Sequence, residues 1–306
     1  MKDYNLQLLR FLRRAAKNGE SWAMFSLGAK YRKGNGVPKN CEKAVAWYRM
    51  AAVQGNWQAQ NDLGEMYEDG VGVRRNSRLA VHWYRRGSRE SELAKNNLGR
   101  MYASGVGVRR NYSHAISWFR KAVELGNNAA KTNLGTMYEE GLGVRRNYKQ
   151  AAVWYRNAAI RGQATSQFKL AWMLQQGLGM KQDDTAAVLW YRKCAAQGDS
   201  FAQNNLGAMY EHGRGVAKSY KDAARWYRKA AEQGCDEAQR NLGIMYQLGR
   251  GLEQNDVLAY KWLSIAIANG HKTCDPIRDA LEMRMSPKQI AKARKLAQDW
   301  LTPMRA

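Results

Sequence analysis

The sequence is poor in the residues that bend, cross-link or catalyse. Proline, cysteine and histidine each occur only 4 times in 306 residues. So little proline permits long runs of helix, because each proline removes a backbone N–H donor. No HExxH motif or Cys-x-x-Cys pair is present, and the histidines share no repeat position: His82, His114, His212 and His271. We therefore expect no metal ion and no other cofactor.

Long apolar segments are also lacking. No apolar run approaches the roughly 18 residues of a membrane helix. Arg10, Arg13 and Arg14 interrupt the N-terminal stretch, whereas a secretory signal needs an unbroken apolar core. The unevenly spaced cysteines favour free thiols in a reducing compartment, and whether Cys235 and Cys274 ever pair stays open. We expect a soluble, cytoplasmic protein, with secretion by a route that needs no such signal as the alternative.

Acidic residues are few beside the basic ones. The chain has 26 Asp and Glu against 50 Lys and Arg, a formal net charge of +24. Such an excess attracts acidic protein segments, anionic membrane surfaces and nucleic acid. Nucleic acid is the least favoured of these partners, because no recognition motif accompanies the charge.

What the sequence does contain is one pattern that recurs seven times: Leu-Gly, Met-Tyr, Gly-x-Gly-Val, Trp-Tyr-Arg and Ala-Ala. Its step is 36 residues with a single 35, as shown by Gly28, Gly64, Gly99, Gly135, Gly207 and Gly243, with Ala171 as the one replacement. A period of this length indicates a repeat array. Helical spacing on both sides of the Gly-x-Gly loop predicts two helices per repeat.

The repeat at residues 127–162 illustrates the prediction. We expect a positive φ at Gly143 in the loop, and Asn147 at the N-cap of the second helix. Gly135 lies within the first helix, so we expect a neighbouring helix too close to admit a Cβ. Trp154 and Tyr155 are predicted to form core between repeats, since one helix pair cannot bury both.

Two repeats depart from the pattern. In the second, Gly87-Ser88 replaces Ala-Ala and one residue is missing before Leu98, which predicts a weakened or shifted second helix. In the fifth, Ala171 occupies the glycine position, which predicts looser packing or a change in curvature there.

These motifs closely resemble Sel1-like repeats, relatives of the tetratricopeptide repeat in bacterial proteins. The resemblance implies an all-α, right-handed α/α superhelical solenoid of seven repeats, whose first helices line a concave face. Members mostly act as adaptors that hold other proteins. We expect an N-terminal half-repeat cap at residues 1–19, the repeats at 20–270 and a C-terminal helical cap at 271–306. Within that cap, Asp275-Pro276 and Ser286-Pro287 are predicted to begin helices.

Counting from Leu-Gly gives candidate groove residues. Apolar candidates for anchoring a peptide are Trp22, Phe25, Phe168, Trp172 and Phe201, which could instead pack against caps or neighbouring repeats. The residue before Leu supplies a second set: Asn97, Asn133, Asn205 and Asn241. In related tetratricopeptide domains such asparagines bind a peptide backbone, although here they could equally tie adjacent repeats together.

Two rows of arginine recur in register. Pairs in three successive loops predict a basic edge: Arg74, Arg75, Arg109, Arg110, Arg145 and Arg146. The second row follows the Trp-Tyr pairs and is interpreted mainly as a solvated surface: Arg49, Arg85, Arg120, Arg156, Arg192 and Arg228.

The sequence thus favours a non-catalytic scaffold that binds a protein or peptide in its groove, with the basic edge favouring acidic partners. A polyanion binder that uses the arginine loops is the alternative. A β-lactam hydrolase is remote. Ser166 and Lys169 have the Ser-x-x-Lys spacing of penicillin-binding enzymes, but the SDN and KTG motifs that complete such a site are missing.

Overall fold

The computed structural model describes residues 2–302, without the side chains of residues 2–5 and 272. This part of the chain contains seventeen α-helices, one short 3-10 helix and no strand, so the predicted all-α class is confirmed. The helices are α1 (Lys2–Lys17), α2 (Ser21–Lys33), α3 (Cys41–Val53), α4 (Trp57–Asp69), α5 (Ser77–Gly87), α6 (Glu92–Ser104), α7 (Tyr112–Glu124), α8 (Asn128–Glu140), α9 (Tyr148–Ile160), α10 (Ala164–Gln176), α11 (Asp184–Ala196), α12 (Ser200–His212), α13 (Tyr220–Glu232), α14 (Asp236–Leu248), α15 (Asp256–Ala268), α16 (Asp275–Glu282) and α17 (Pro287–Leu301).

The chain divides into two compact units, an N-terminal one that ends at Asn157 and a C-terminal one that begins at Ala158. Within each unit the extensive contacts join helices that are consecutive in the sequence, and α17 additionally packs on α15. Even-numbered helices from α2 to α14 are the first helices of the repeats, and odd-numbered helices from α3 to α15 are the second.

The predicted loop chemistry is confirmed. Gly143 has φ +70°, and the Asn147 side chain accepts a hydrogen bond from the Gln150 N–H at 3.0 Å. The same cap begins other second helices, with Asn40, Asn76, Asn111, Asp183, Ser219 and Asn255 as acceptors. An N-cap of this kind satisfies an N–H that has no partner within the helix.

The glycine in the first helix is explained by an aromatic ring. A Cβ on Gly135 would lie 2.5 Å from Cε1 of Tyr155, which belongs to the second helix of the same repeat. Rings occupy the same place at Gly28, Gly64, Gly99 and Gly207. The tyrosines are fully buried, as predicted for Tyr155. The close approach predicted from the recurrence of this glycine is therefore confirmed.

The tryptophans of the Trp-Tyr pairs are less buried than predicted. Trp154 is only partly buried, as are Trp118, Trp190 and Trp226. A lysine one turn later covers three of these rings: its Nζ lies 4.6 Å from the ring centroid in Trp118, 4.3 Å in Trp190 and 4.8 Å in Trp226. Aliphatic stems and cation–π contacts thus replace part of the expected protein core.

Helix α1 packs on α2 as a second helix would. Leu9 and Leu12 are buried, and the Arg13 guanidinium donates to the Tyr31 hydroxyl at 3.4 Å. Arg49 makes the equivalent bond to Tyr67 at 2.7 Å, also across 18 residues. This shared geometry supports the proposed half repeat.

The C-terminal helices begin where predicted. Helix α16 starts at Asp275, and α17 starts at Pro287 behind a capping box formed by Ser286 and Gln289. Trp300 of α17 packs on Trp262 of α15, with ring centroids 5.9 Å apart. Helix α17 therefore covers apolar surface of the last repeat.

The irregular second repeat has the predicted weaker second helix. Helix α5 has 11 residues, whereas the second helices α3 and α7 beside it have 13. In the fifth repeat, Ala171 is fully buried at the glycine position.

The four cysteines are free thiols. Cys194, Cys235 and Cys274 are buried, whereas Cys41 is partly exposed. Burial raises the pKa of Cys194 to about 12, with Asp199 adding a smaller contribution in the same direction. A thiol that keeps its proton is a poor nucleophile, which fits a packing role for Cys194.

We predict that Gly135→Ala lowers the free energy of unfolding by about 1–2 kcal/mol, because overpacking against Tyr155 outweighs the better helix propensity of alanine. Urea titration followed by circular dichroism measures the change. In a Tyr155→Leu background the loss should shrink, since leucine can yield to the new methyl group. An equal loss in both backgrounds, or no loss, would contradict the proposed contact.

Candidate binding surface

A polar network crosses the first helices of the N-terminal unit. Arg32 of α2 donates to Glu65 of α4 at 3.2 Å, and Asn61 donates to the same carboxylate at 3.0 Å. Asn97 of α6 donates in turn to the Asn61 carbonyl oxygen at 3.1 Å. Three successive repeats are thus joined through side chains on one face.

Arg100 continues this network at its outer end. Its guanidinium donates to the Asn97 side-chain oxygen at 3.0 Å and to Glu68 at 2.7 Å. Asn97 is only 7% exposed, so its amide is used within the protein.

The other predicted asparagines are engaged in a similar way. In the N-terminal unit Asn133 donates to Asn96 at 2.8 Å. In the C-terminal unit Asn241 donates to Asn204 at 3.1 Å, and Asn205 donates to the Tyr191 hydroxyl at 3.1 Å. These bonds support the alternative in which the asparagines tie adjacent repeats together.

A second recurring contact joins four of the core tyrosines, Tyr84, Tyr155, Tyr191 and Tyr227, to the residue 16 positions earlier. The Tyr84 hydroxyl donates to Glu68 at 2.6 Å, and the Tyr227 hydroxyl donates to Glu211 at 2.8 Å. Burial raises the pKa of Tyr84 far above its ordinary value, and the hydrogen bond to Glu68 raises it further. The phenol therefore stays protonated and remains a donor.

The third repeat lacks both members of this pair. Phe119 stands at the tyrosine position, and Ala103 stands 16 residues earlier where Glu68 and Glu211 lie in their repeats. Without the hydroxyl and the carboxylate, this part of the face becomes apolar and concave. A pocket lies at this place in the third repeat.

The pocket, which we call the Phe119 pocket, has a volume of about 480 Å³. Buried Met101, Phe119 and Met137 line it, with Ala103, Val106 and Leu142 completing its apolar part. Six polar residues also line it: Glu68, Arg75, Arg100, Ser104, Asn133 and Thr136. Its size falls within the roughly 300–1,000 Å³ of ordinary ligand pockets.

The predicted aromatic residues lie on both units and differ in exposure. Trp22 and Phe201 are 45% and 57% exposed. Trp22 contacts Phe11 of α1, with centroids 6.0 Å apart, and its indole N–H donates to Glu20. It therefore meets the N-terminal helix, one of the two alternatives foreseen for it.

The remaining aromatic candidates are half-buried. Phe25 packs on Tyr48 at 5.6 Å between centroids, and Phe168 packs on Tyr191 at 5.7 Å. Trp172 is partly exposed on α10. Phe25 and Phe168 thus share their rings with the core.

The six arginines of the loops are exposed. No carboxylate lies within ion-pairing distance of any of them in the described part of the chain. Arg110 and Arg146 lie over Tyr112 and Tyr148, with 5.7 and 5.6 Å from the guanidinium carbon to the ring centroids. Arg75 reaches the Phe119 pocket.

The second arginine row is more than a solvated surface. Arg85 donates to the Tyr102 hydroxyl at 3.1 Å, and Arg120 donates to that of Tyr138 at 3.2 Å. In the C-terminal unit Arg192 donates to Tyr210 at 2.6 Å and Arg228 donates to Tyr246 at 2.9 Å. Each bond joins a second helix to the first helix of the next repeat.

Three observations concern β-lactam hydrolysis, metal binding and membrane insertion. Ser166 has no exposed surface, so its hydroxyl is closed to a β-lactam. Across residues 2–302, with the side chains noted above set aside, no three His, Cys, Asp or Glu side chains gather as metal ligands would. None of the helices described is long and apolar enough to span a membrane.

Seven consecutive segments match the Sel1 repeat, at residues 23–56, 57–91, 93–127, 128–163, 164–199, 200–235 and 236–271. The chain belongs to the Sel1 repeat family. Proteins with Sel1 repeats generally mediate protein–protein interaction and generally serve as non-catalytic scaffolds.

Two solved Sel1-type structures are similar to the chain. A Sel1 repeat protein from Oxalobacter formigenes is 31% identical to this chain, and the two structures match with a TM-score of 0.73. The match covers 89% of this chain and 79% of the Oxalobacter formigenes chain. A protective antigen of uropathogenic Escherichia coli strains with an SLR fold is 29% identical, covers 96% and 86%, and has a TM-score of 0.54. No curated protein matches the chain.

The sequence alone did not point to the Phe119 pocket. Asn133 and Arg75, two of the residues predicted from the sequence, line it. None of its apolar lining residues is among those predicted. Phe119 and Ala103 are visible departures from the repeat pattern. Their connection appears only when the 16-residue spacing is known to bring hydroxyl and carboxylate together.

The two arginine rows should differ in how much they contribute to the stability of the fold. We predict that Arg120→Gln lowers the free energy of unfolding by about 0.5–1 kcal/mol, because it loses the bond to Tyr138. Arg109→Gln removes the same charge in the same repeat without breaking a contact, and should be neutral or slightly stabilising. Urea titrations of the two variants test this, and equal effects would contradict the structural role of Arg120.

Proposed function

We propose that this Sel1 repeat protein is a non-catalytic adaptor that binds a segment of a partner protein on the face of its first helices. In this proposal an apolar side chain of the partner enters the Phe119 pocket, and an acidic group of the partner meets Arg75. Trp22, a predicted groove residue of the same N-terminal unit, would extend the contact.

The observation that carries the proposal is the apolar pocket in an otherwise polar face. Met101, Phe119 and Met137 form its buried lining, and Arg100 beside it already bonds to Glu68. Partner side chains that fill such pockets usually contribute most of the binding energy. Methionine adds adaptability to different apolar groups.

Charge supports an acidic partner. Arg100 is already paired with Glu68, whereas Arg75 has no carboxylate within ion-pairing distance among the described residues. Arg75 therefore carries uncompensated charge at the pocket. An Asp or Glu beside the apolar anchor would pair with it, and the net charge of +24 would speed the encounter.

Restoring the usual pair of residues tests the pocket. We predict that the double variant Ala103→Glu with Phe119→Tyr weakens peptide binding at least about tenfold, because the Tyr–Glu contact fills the pocket. Peptides are selected on the native protein from a displayed library, and their affinities are measured by calorimetry. The selected sequences should share an apolar residue flanked by acidic ones.

A matched control makes the reverse exchange elsewhere. Glu211→Ala with Tyr227→Phe removes the same pair from the sixth repeat and leaves the Phe119 pocket untouched. This control should bind the selected peptides as the native chain does. Unchanged affinity of the Ala103→Glu, Phe119→Tyr variant would sink the proposal.

Polyanion binding by the basic loops is the second candidate. The exposed state of six unpaired arginines in three successive repeats is the observation that favours it. We predict that changing Arg74, Arg75, Arg109, Arg110, Arg145 and Arg146 to Gln abolishes retention on heparin at about 0.15 M salt. Changing the six arginines of the second row to Gln removes equal charge, and should reduce retention much less.

If both six-residue variants lose retention equally, the loops are not a site and the interaction reflects net charge. The affinity of the native protein for anionic vesicles is then compared with its affinity for heparin. This comparison tells whether the protein also binds an anionic membrane surface.

A further inference from the structure

A second pocket lies in the irregular second repeat, away from the Phe119 pocket. It has a volume of about 580 Å³ and lies between α4 and the C-terminal part of α5. The early end of α5 at Gly87 brings this about, because the helix stops two residues short of the 13 found in α3 and α7. The two pockets share no lining residue.

A side-chain hydrogen bond found in two repeats of the C-terminal unit is missing beside this pocket. In the C-terminal unit, Gln203 donates to the Ala195 carbonyl at 3.2 Å and accepts from Gln233, 30 residues later, at 2.7 Å. The same arrangement joins Gln197 to Gln167 at 2.7 Å. Glutamine side chains thus fill the space where a second helix meets the next repeat.

In the second repeat only half of this arrangement exists. Gln60 donates to the Ala52 carbonyl at 2.9 Å, but the residue 30 positions later is Glu90. An ionised carboxylate cannot donate to the Gln60 carbonyl oxygen. Both side chains therefore line an open pocket.

The lining of this pocket is strongly basic. Arg85, Arg86 and Arg89 face it together with His82, while Glu90 is its one acidic residue. In the described part of the chain none of the three arginines has a carboxylate within ion-pairing distance. Three arginines around one pocket concentrate positive charge there, and this charge would attract an anion.

Two of these arginines are held in place by neighbouring aromatic residues. Arg85 donates to the Tyr102 hydroxyl at 3.1 Å, and the Arg86 guanidinium lies 5.6 Å from the Trp83 ring centroid. Because these side chains are already ordered before a ligand arrives, less conformational entropy is lost when the ligand binds. Guanidinium groups match the oxygens of a phosphate through paired hydrogen bonds.

One wall of the pocket is not charged. Trp57, at the first position of α4, is half-buried and offers part of its indole to the space. An indole face stacks on planar rings and provides no bond for a phosphate. The lining thus combines an anion-binding side with a flat apolar side.

We propose that this pocket binds a small phosphorylated molecule, with the phosphate on Arg86 and Arg89 and a planar ring against Trp57. A mononucleotide has both parts and fits the volume. Glu90 lies where it can accept from a hydroxyl or amine of the ligand and disfavours a carboxylate at that point. This ligand would bind independently of a protein on the first-helix face.

Calorimetry with the full chain tests the proposal, using inorganic phosphate, glycerol 3-phosphate and AMP as probes. We expect all three to bind, and AMP to bind most tightly. The variant Arg86→Gln, Arg89→Gln should weaken AMP binding about tenfold or more. The variant Arg109→Gln, Arg110→Gln loses equal charge from an exposed loop of the same unit, and should bind AMP as the native chain does.

Three results would overturn the proposal. These are no heat of binding with any probe at millimolar concentration, equal weakening in the two charge-matched variants, and equal affinity for AMP and glycerol 3-phosphate. The last would reject the role of Trp57 in particular. Urea unfolding of both variants establishes that each is folded. We expect both to fold, because the substituted arginines are exposed.

Discussion

The structure depends on the packing of one aromatic ring against one glycine. In five repeats a buried ring of the second helix lies where the Cβ of the first-helix residue would be. The two helices of a repeat can approach this closely only because that residue is glycine. The close approach in turn fixes where every other side chain of the pair points, so the same hydrogen bonds recur at the same spacings.

The candidate binding surface arises from a local change in this contact. The ring is kept in the third repeat, where Phe119 still covers Gly99, so the helices keep their spacing. Only the polar ends of the pair are lost, the hydroxyl at residue 119 and the carboxylate at residue 103. A repeat can therefore gain an apolar pocket without a change in backbone. This separation of scaffold from surface lets a repeat protein acquire binding sites one position at a time.

The large positive charge has two different physical roles. Five of the six arginines after the Trp-Tyr pairs donate to tyrosine hydroxyls of the next repeat, and so contribute to the stacking of repeats. Arginines in the loops have no such partner and project charge into solvent. Net charge alone does not distinguish these roles, because both rows contribute equally to it. The hydrogen-bond partners of each guanidinium group distinguish the two roles.

The second repeat shows how a shortened helix changes a surface. One residue is missing from the second repeat and α5 ends early, while Glu90 stands where the fifth and sixth repeats have the donors Gln197 and Gln233. Both changes occur within a few residues of each other. The outcome is a basic pocket beside the end of α5.

The sequence by itself determined the helix pairs, their loops, their caps and the period, because glycine, asparagine and apolar spacing act within about one turn of chain. It also determined that Gly135 must face a close neighbour. Tertiary structure alone decided which neighbour, since Tyr155 is 20 residues away. It likewise decided that Asn97 bonds to Asn61, that Arg120 bonds to Tyr138, and that Phe119 and Ala103 open a pocket together. Such pairings depend on how the helices lie in space, and the one-dimensional pattern holds the residues but not the distances between them.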